Sequence, residues 1–273
     1  AKICVKEGLH LARTLQKPES MRLLWSGLGA CEFALGNYEK AIKCFKQSID
    51  LGKSRGVLTK SDIGMKFNMG LAYLKLGYSY NSISIFQEAL ENLENLKDSG
   101  TDEMAELKAD ILYNMGNMYL KENQMREANI FFVKAIQAAG NSEDSNQTVV
   151  LRSRHSLALI ICKDVKYKRK GADDLDNAIN IFQKVRTETI KTYGEDHVDV
   201  AKISVDIAVA FYLQGNYEEA QEKCDIALKV FSDKVSVNHS YYRQATRLKQ
   251  SISRKMFINR IGCKSNTPTP QGQ

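Results

Sequence analysis

The sequence predicts an all-α solenoid of antiparallel helix hairpins. Three observations carry that prediction. Small residues recur at long, near-regular intervals: Gly29 to Gly70 spans 41 residues, Gly70 to Gly116 spans 46, and Ala178 to Ala220 spans 42. A period of this length is the mark of stacked helical units. The small residues also sit in a repeating context. It reads Trp25-x-x-Leu28-Gly29, then Gly36-Asn37-Tyr38, Ala41 and Phe45. It returns as Met69-Gly70, Gly77 and Phe86-x-x-Ala89, then as Met115-Gly116, Ala128 and Phe132-x-x-Ala135. It returns again as Ile207-Ala208, Gly215-Asn216-Tyr217, Ala220 and Ala227. Finally, only 3 prolines interrupt 273 residues, as a chain made of helix interiors requires.

Each element follows from local signals. Residues 1–19 read as a half-repeat. Its helix at 2–17 has Ile3, Val5, Leu9 and Ala12 at helical spacing and stops before Pro18. Because the chain opens inside that helix, a preceding partner helix is expected and the sequence reads as part of a longer protein. Residues 20–235 hold five hairpins. The first pairs 20–35 with 38–51, and the loop from Gly52 to Gly56 follows. The second pairs 60–76 with 79–97. The polar turn Asp98-Ser99-Gly100-Thr101-Asp102 can cap the next helix. The third pairs 103–122 with 125–139, and Gly140 to Asn146 is a polar loop. The fourth pairs 147–164 with 174–192, and the fifth pairs 199–214 with 217–232. In the fourth hairpin, Ala158 to Ala178 spans 20 residues where Gly29 to Ala41 spans 12, so an insertion sits at its tip, residues 163–171. Residues 236–263 form a basic capping helix (239–261), whose apolar residues Leu248, Ile252, Met256 and Ile258 face the fifth hairpin. Residues 264–273 include SNTPTPQGQ, which is polar and proline-bearing and reads as disordered.

The roles of the small residues are physical. Gly29, Gly70, Gly116 and Ala208 stand where the first helix of a hairpin must approach the second. Gly36, Gly77 and Gly215 follow first helices and suit the left-handed residue that ends them. Ala41, Ala128, Ala178 and Ala220 lie early in second helices, where added bulk costs about 1–3 kcal/mol. Phe45, Phe86, Phe132 and Phe182 fill the space between neighbouring hairpins, because one hairpin cannot bury its own apolar face.

These residues resemble the tetratricopeptide repeat (TPR) family. Trp25 to Ile49 (WSGLGACEFALGNYEKAIKCFKQSI) follows the family's pattern nearly throughout, with Ser48 in place of its second Ala. Phe211 to Leu228 (FYLQGNYEEAQEKCDIAL) follows it with Cys224 at a usual aromatic. Ser82 replaces the first Ala of the second unit. The family's common unit is about 34 residues, so these units are long. The last two are similar to the kinesin light chain subtype. Tyr193-Gly194-Glu195-Asp196-His197 resembles that subtype's Gly-x-x-His-Pro turn, with Val198 for Pro, and Val237-Asn238-His239 looks like a second such turn. The resemblance implies a TPR-like α-solenoid, a right-handed superhelix with a concave, non-catalytic binding surface. It points toward cytoskeletal, motor or ciliary assembly.

Composition narrows the chemistry. Lys plus Arg number 39 against 32 Asp plus Glu, a net charge of +7. That balance permits an acidic partner. Mild basicity alone does not identify nucleic acid, and the basic segments show little of the aromatic interleaving that single-strand recognition needs. No run of about 18 apolar residues suggests a membrane span. The six cysteines (Cys4, Cys31, Cys44, Cys162, Cys224, Cys263) lie at least 13 apart and form no Cys-x-x-Cys pair. They read as small hydrophobes in a reducing compartment, the cytoplasm. The four histidines are scattered, and no phosphate-binding glycine motif occurs. His155 and Cys162 lie two turns apart on one helix, which fits core or surface placement better than a nucleophile pair. No enzyme chemistry, metal or cofactor is therefore expected.

The candidate sites follow from the resemblance, in which partners lie along first helices. It implies a peptide-binding groove lined by Phe67, Asn68, Leu71, Lys75, Tyr113, Asn114, Asn117, Lys121, Asp206 and Tyr212. Asn68 and Asn114 share a register, and a side-chain amide can both donate to and accept from an extended backbone. The family's clamp for a C-terminal carboxylate is not matched: Asn114 and Arg152 fit it, while Phe67, Leu71 and Ser156 do not. The insertion's Lys163, Lys166, Lys168, Arg169 and Lys170 read either as a solvated loop or as a site for an acidic surface. Two other functions stay open. One is binding of nucleic acid or an anionic surface through that loop and the last helix. The other is a regulatory TPR domain of a larger enzyme.

Overall fold

The computed structural model describes residues 2–53, 59–96, 101–140, 147–167, 171, 173–237 and 239–264. Among the described residues there are twelve α-helices and no strand. They are α1 (Lys2–Thr14), α2 (Pro18–Ala34), α3 (Tyr38–Lys53), α4 (Lys60–Lys75), α5 (Ser79–Asn95) and α6 (Asp102–Lys121). There follow α7 (Met125–Ala139), α8 (Gln147–Lys166), α9 (Asp174–Tyr193), α10 (Val198–Gln214), α11 (Tyr217–Lys234) and α12 (Ser240–Lys264). The chain divides into two compact units, Ala1–Val150 and Leu151–Gln273.

In the first unit α2 pairs with α3, α4 with α5, and α6 with α7. Consecutive hairpins stack through α3 on α4 and α5 on α6, and α1 lies on α2. The first helices also touch one another, α2 on α4 and α4 on α6, so they line one side together. In the second unit α8 and α9 share a core of Ala158, Cys162, Leu175, Ala178 and Phe182 with Ile203 and Ile207 of α10. There α10 pairs with α11, and α12 packs on both.

The hairpins close by matching a small residue to a ring sixteen positions later. A Cβ built on Gly29 would stand 2.6 Å from Phe45, and one on Gly116 would stand 2.7 Å from Phe132. Gly70 faces Phe86 in the same way. All three rings are fully buried. In α10 the small residue is Ala208, and the residue sixteen later is Cys224 rather than an aromatic; both are completely buried. A ring there would be crowded by the Ala208 methyl, and the smaller sulfur side chain leaves room for it. The serines that replace family alanines are explained too. Ser48 Oγ donates to the Arg22 carbonyl at 2.7 Å, and Ser82 Oγ donates to the Gly70 carbonyl at 2.8 Å. Each hydroxyl is satisfied against the partner helix, as burial demands.

Turns follow the sequence expectations where they depend on glycine. Gly36, Gly77 and Gly215 hold φ of 78°, 82° and 89°. The third hairpin has no glycine there, and Asn123 takes the left-handed conformation instead (φ 62°), the non-glycine residue best suited to it. Other boundaries differ. The first helix ends at Thr14 rather than 17, and α2 begins at Pro18 rather than 20. Proline is favoured at the first helical position because it has no N–H to leave unbonded. Thr101 stands at the N-cap of α6 without a side-chain cap bond, and Asp98, Ser99 and Gly100 lie outside the described residues. The capping box found is at α4: Thr59 Oγ1 accepts from the Asp62 N–H, and Asp62 accepts from the Thr59 N–H at 2.9 Å. Asp62 also faces Arg22, whose guanidinium bonds Glu19 at 2.7 Å and holds its own pKa up through that bond. The two His turns meet the helices that follow them: His197 Nδ1 accepts from the Asp199 N–H at 3.2 Å, and His239 Nδ1 accepts from the Tyr241 N–H at 3.3 Å. On α12 the docked face holds Ala245, Leu248, Ile252 and Met256. Ile258, expected on that face, is 54% exposed, because a helix turns about 100° per residue and two residues beyond Met256 lies its far side. The proposed tail lies outside the described residues, apart from Lys264.

Candidate binding cleft

In the first unit the stacked first helices enclose an open cleft of about 620 Å³. Ser26 comes from α2. Lys60, Ser61, Gly64, Met65 and Asn68 come from α4, and Glu103, Met104, Glu106, Leu107 and Asp110 from α6. The helix phase explains the set. Residues 103, 106, 107 and 110 recur at three and four, so they share one face of α6. Gly64 leaves open space, since a Cβ there would meet nothing within 4 Å. Leu107, above the buried Met65 and Met104, gives the cleft an apolar floor. Glu103, Glu106 and Asp110 line the α6 side. Lys60 lies 3.9 Å from Glu103 and bonds Thr101 Oγ1 at 3.4 Å.

The sequence-selected groove residues are distributed unevenly. Asn68 lines the cleft. Asn114, one turn beyond Asp110, donates through its amide to the Asp110 carbonyl at 2.8 Å. That bond uses one donor and leaves the side-chain oxygen. Phe67 and Leu71 pack on the core around Phe86, with the Phe67 and Phe86 ring centroids 6.0 Å apart. Tyr113 packs on Phe132 at 5.8 Å. These three are half-buried and chiefly support the wall. Asn117 is half-buried, while Lys75 and Lys121 are exposed near the ends of α4 and α6. The cleft carboxylates were not selected from the sequence, although their spacing on α6 was a usable signal.

Asp206 and Tyr212 belong to the second unit. Asp206 Oδ2 lies 2.8 Å from His155 Nε2, joining α10 to α8. His155 also meets the Phe182 ring edge-on. The Cys162 thiol on the same helix is pushed up to about 12 by burial, with the Asp206 charge adding to it. A thiol held protonated is a poor nucleophile, and Cys162 is buried in the core shared by α8, α9 and α10. Tyr212 packs against Tyr217 at 5.6 Å. The insertion begins as helix: Lys163 and Lys166 lie in the last turn of α8 rather than in a loop, where positive charge complements the helix dipole. Lys168, Arg169 and Lys170 lie outside the described residues. Among the described residues no helix is long and apolar enough to cross a membrane.

Comparison with known proteins agrees with this architecture. Residues 23–53, and separately 63–92 and 109–142, match models of the tetratricopeptide repeat. No curated protein matches the sequence significantly. Solved structures share the fold at low identity. The nearly identical TPR-like repeats assigned to a kinesin light chain of Podosopora anserina superpose with a TM-score of 0.57 at 16% identity. That likeness covers 80% of this chain and 99% of that one. YrrB, described as a TPR protein with an unusual peptide-binding site, gives 0.54 at 15% identity, covering 92% of this chain and 100% of that one. The Rap conjugation gene regulator of plasmid pLS20, in complex with the Phr* peptide, gives 0.56 at 15% identity. There the coverage is 86% of this chain and 59% of that one.

Proposed function

We propose that this chain, which carries tetratricopeptide repeats, is a non-catalytic scaffold that holds an extended segment of another protein in the cleft of its first unit. One observation carries the reading: the first helices α2, α4 and α6 jointly wall an open hollow with an apolar floor and the amide of Asn68 at its edge. Such concave surfaces are the usual product of stacked repeats. Two fold neighbours, one with a peptide-binding site and one in complex with a peptide, support the same mode. The long units, similar to kinesin light chain repeats, favour a place in cytoskeletal, motor or ciliary assembly. The test is affinity capture by wild type and by Asn68→Ala/Asn114→Ala, with cross-links mapped to residues. Partners lost by the variant at unchanged thermal stability, and cross-linked to α2, α4 or α6, support the proposal. Equal recovery by both proteins sinks it.

A second reading concerns the other unit and rests on charge segregation. Residues 151–273 contain 21 Lys plus Arg against 14 Asp plus Glu, whereas residues 1–150 contain 18 of each. The whole net charge thus lies in the second unit's sequence. Lys163, Lys166, Lys168, Arg169 and Lys170, with Arg243 and Arg247 of α12, suit an acidic protein surface. Charge reversal across those positions should abolish such binding, and the affinity of the unaltered protein should fall with salt.

A further inference from the structure

The character of the guest can be read from the cleft wall, given that the cleft is a binding site at all. Glu103, Glu106 and Asp110 line it, and Lys60 is the one cationic residue among the described residues lining it. Lys60 is already engaged, bonded to Thr101 and near Glu103. The lining therefore carries an excess of two negative charges in a unit whose sequence is neutral, inside a protein whose total is +7. This local sign is opposite to the one the composition suggests. A concave site with a low-dielectric floor strengthens the field of its rim charges. An anionic segment entering here would meet like charge and lose hydration without compensation. A segment bearing Lys or Arg gains twice: its aliphatic stem lies on Leu107, above the buried Met65 and Met104, and its charged head reaches the α6 carboxylates.

We infer that the cleft of the first unit selects an extended segment of a partner protein that carries Lys or Arg side chains, read by Glu103, Glu106 and Asp110. Asn68 contributes the backbone contact that sequence reasoning assigned to it. Selectivity thus comes from charge, and attachment comes from the apolar floor and the amide. The inference deepens the scaffold reading and depends on it.

Panning a random dodecapeptide display library on three proteins tests it. They are wild type, Glu103→Gln/Glu106→Gln/Asp110→Asn, and Asn68→Ala, each checked for an unchanged urea midpoint. The expected wild-type pool is rich in Lys and Arg. Its members should bind the carboxylate variant about tenfold or more weakly at ~0.1 M salt. On wild type they should also weaken as salt rises, a readout that needs no variant. A neutral or acidic pool that Asn68→Ala loses overturns the charge assignment while leaving the scaffold reading intact. So does a basic pool that binds the carboxylate variant equally well. Enrichment of sequences matching this chain's own 254–260 would replace the partner by a second copy and likewise overturn it. No enrichment on any of the proteins would bring down the cleft as a binding site altogether.

Discussion

Gly116 and Phe132 offer the sharpest test of how the hairpins close. A Cβ at Gly116 would lie 2.7 Å and 2.8 Å from two ring carbons of Phe132, where ordinary contact begins near ~3.4 Å. The ring is 0% exposed, so ring or helices must yield by about 0.7 Å to reach ordinary contact. Overpacking of this kind costs about 1–3 kcal/mol. Alanine is the better helix former by about 1 kcal/mol. Gly116→Ala should therefore destabilise the first unit by about 0–2 kcal/mol net. The α10–α11 hairpin shows the complementary solution, Ala208 with Cys224. Phe132→Cys alone leaves a cavity and should cost about 3 kcal/mol. In that background the Cβ of Gly116→Ala has space, and the substitution should stabilise by about 1 kcal/mol. The double-mutant cycle then yields a favourable coupling of about 1–3 kcal/mol, measured by urea unfolding followed by far-ultraviolet circular dichroism. If Gly116→Ala raises the unfolding midpoint by the same amount in both backgrounds, the glycine does not exist to admit the ring, and the closing rule is wrong.

Three other outcomes follow from the same structure. Gly27 and Gly36 both have open space where a Cβ would go, but only Gly36 has positive φ (78°). Gly27→Ala should stabilise by about 0.5–1 kcal/mol, whereas Gly36→Ala should destabilise by about 1 kcal/mol, read as opposite shifts in urea midpoint. Asp62→Ala removes the α4 capping box and the buried partner of Arg22, and should cost about 2–3 kcal/mol; a loss under ~0.5 kcal/mol would deny that network a structural role. Burial raises the Cys162 and Cys224 thiols to about 12 and about 11 from 9.0. Both should resist alkylation in the native protein at mildly alkaline pH, while half-buried Cys31 reacts faster. Because the folded state keeps protons that the unfolded chain releases above about 9, their contribution is intact below that pH and is lost as pH climbs toward 11–12. Equal labelling rates at all three cysteines, or stability rising over that range, would contradict the burial.

The sequence alone determined the all-α solenoid and the glycine turns, because those rest on short-range chemistry. A glycine that ends a helix and an alanine under a neighbouring helix each act within one hairpin, whereas the rings, read as fillers between hairpins, also close against a glycine of their own hairpin. Gly36, Gly77 and Gly215 are legible for that reason, as is the capping by His197. The asparagine register of Asn68 and Asn114 was likewise visible, since it repeats with the unit. Tertiary structure alone decided which faces the polar residues present and what they meet there. Asp206 stands 51 positions from His155, and Ser48 lies 26 from the Arg22 carbonyl, so neither bond has a local signature. Phe67 and Tyr113 turned out to be wall supports because the rotation of each helix about its axis is set by the neighbours it buries against, not by its own pattern. The sign of the cleft depends on the same quantity. Glu103, Glu106 and Asp110 are ordinary charges on an amphipathic helix until α4 and α2 close around them, and a net charge of +7 gives no hint of it. Charge adds over a whole chain, but a guest feels only the few groups that packing brings within a Debye length.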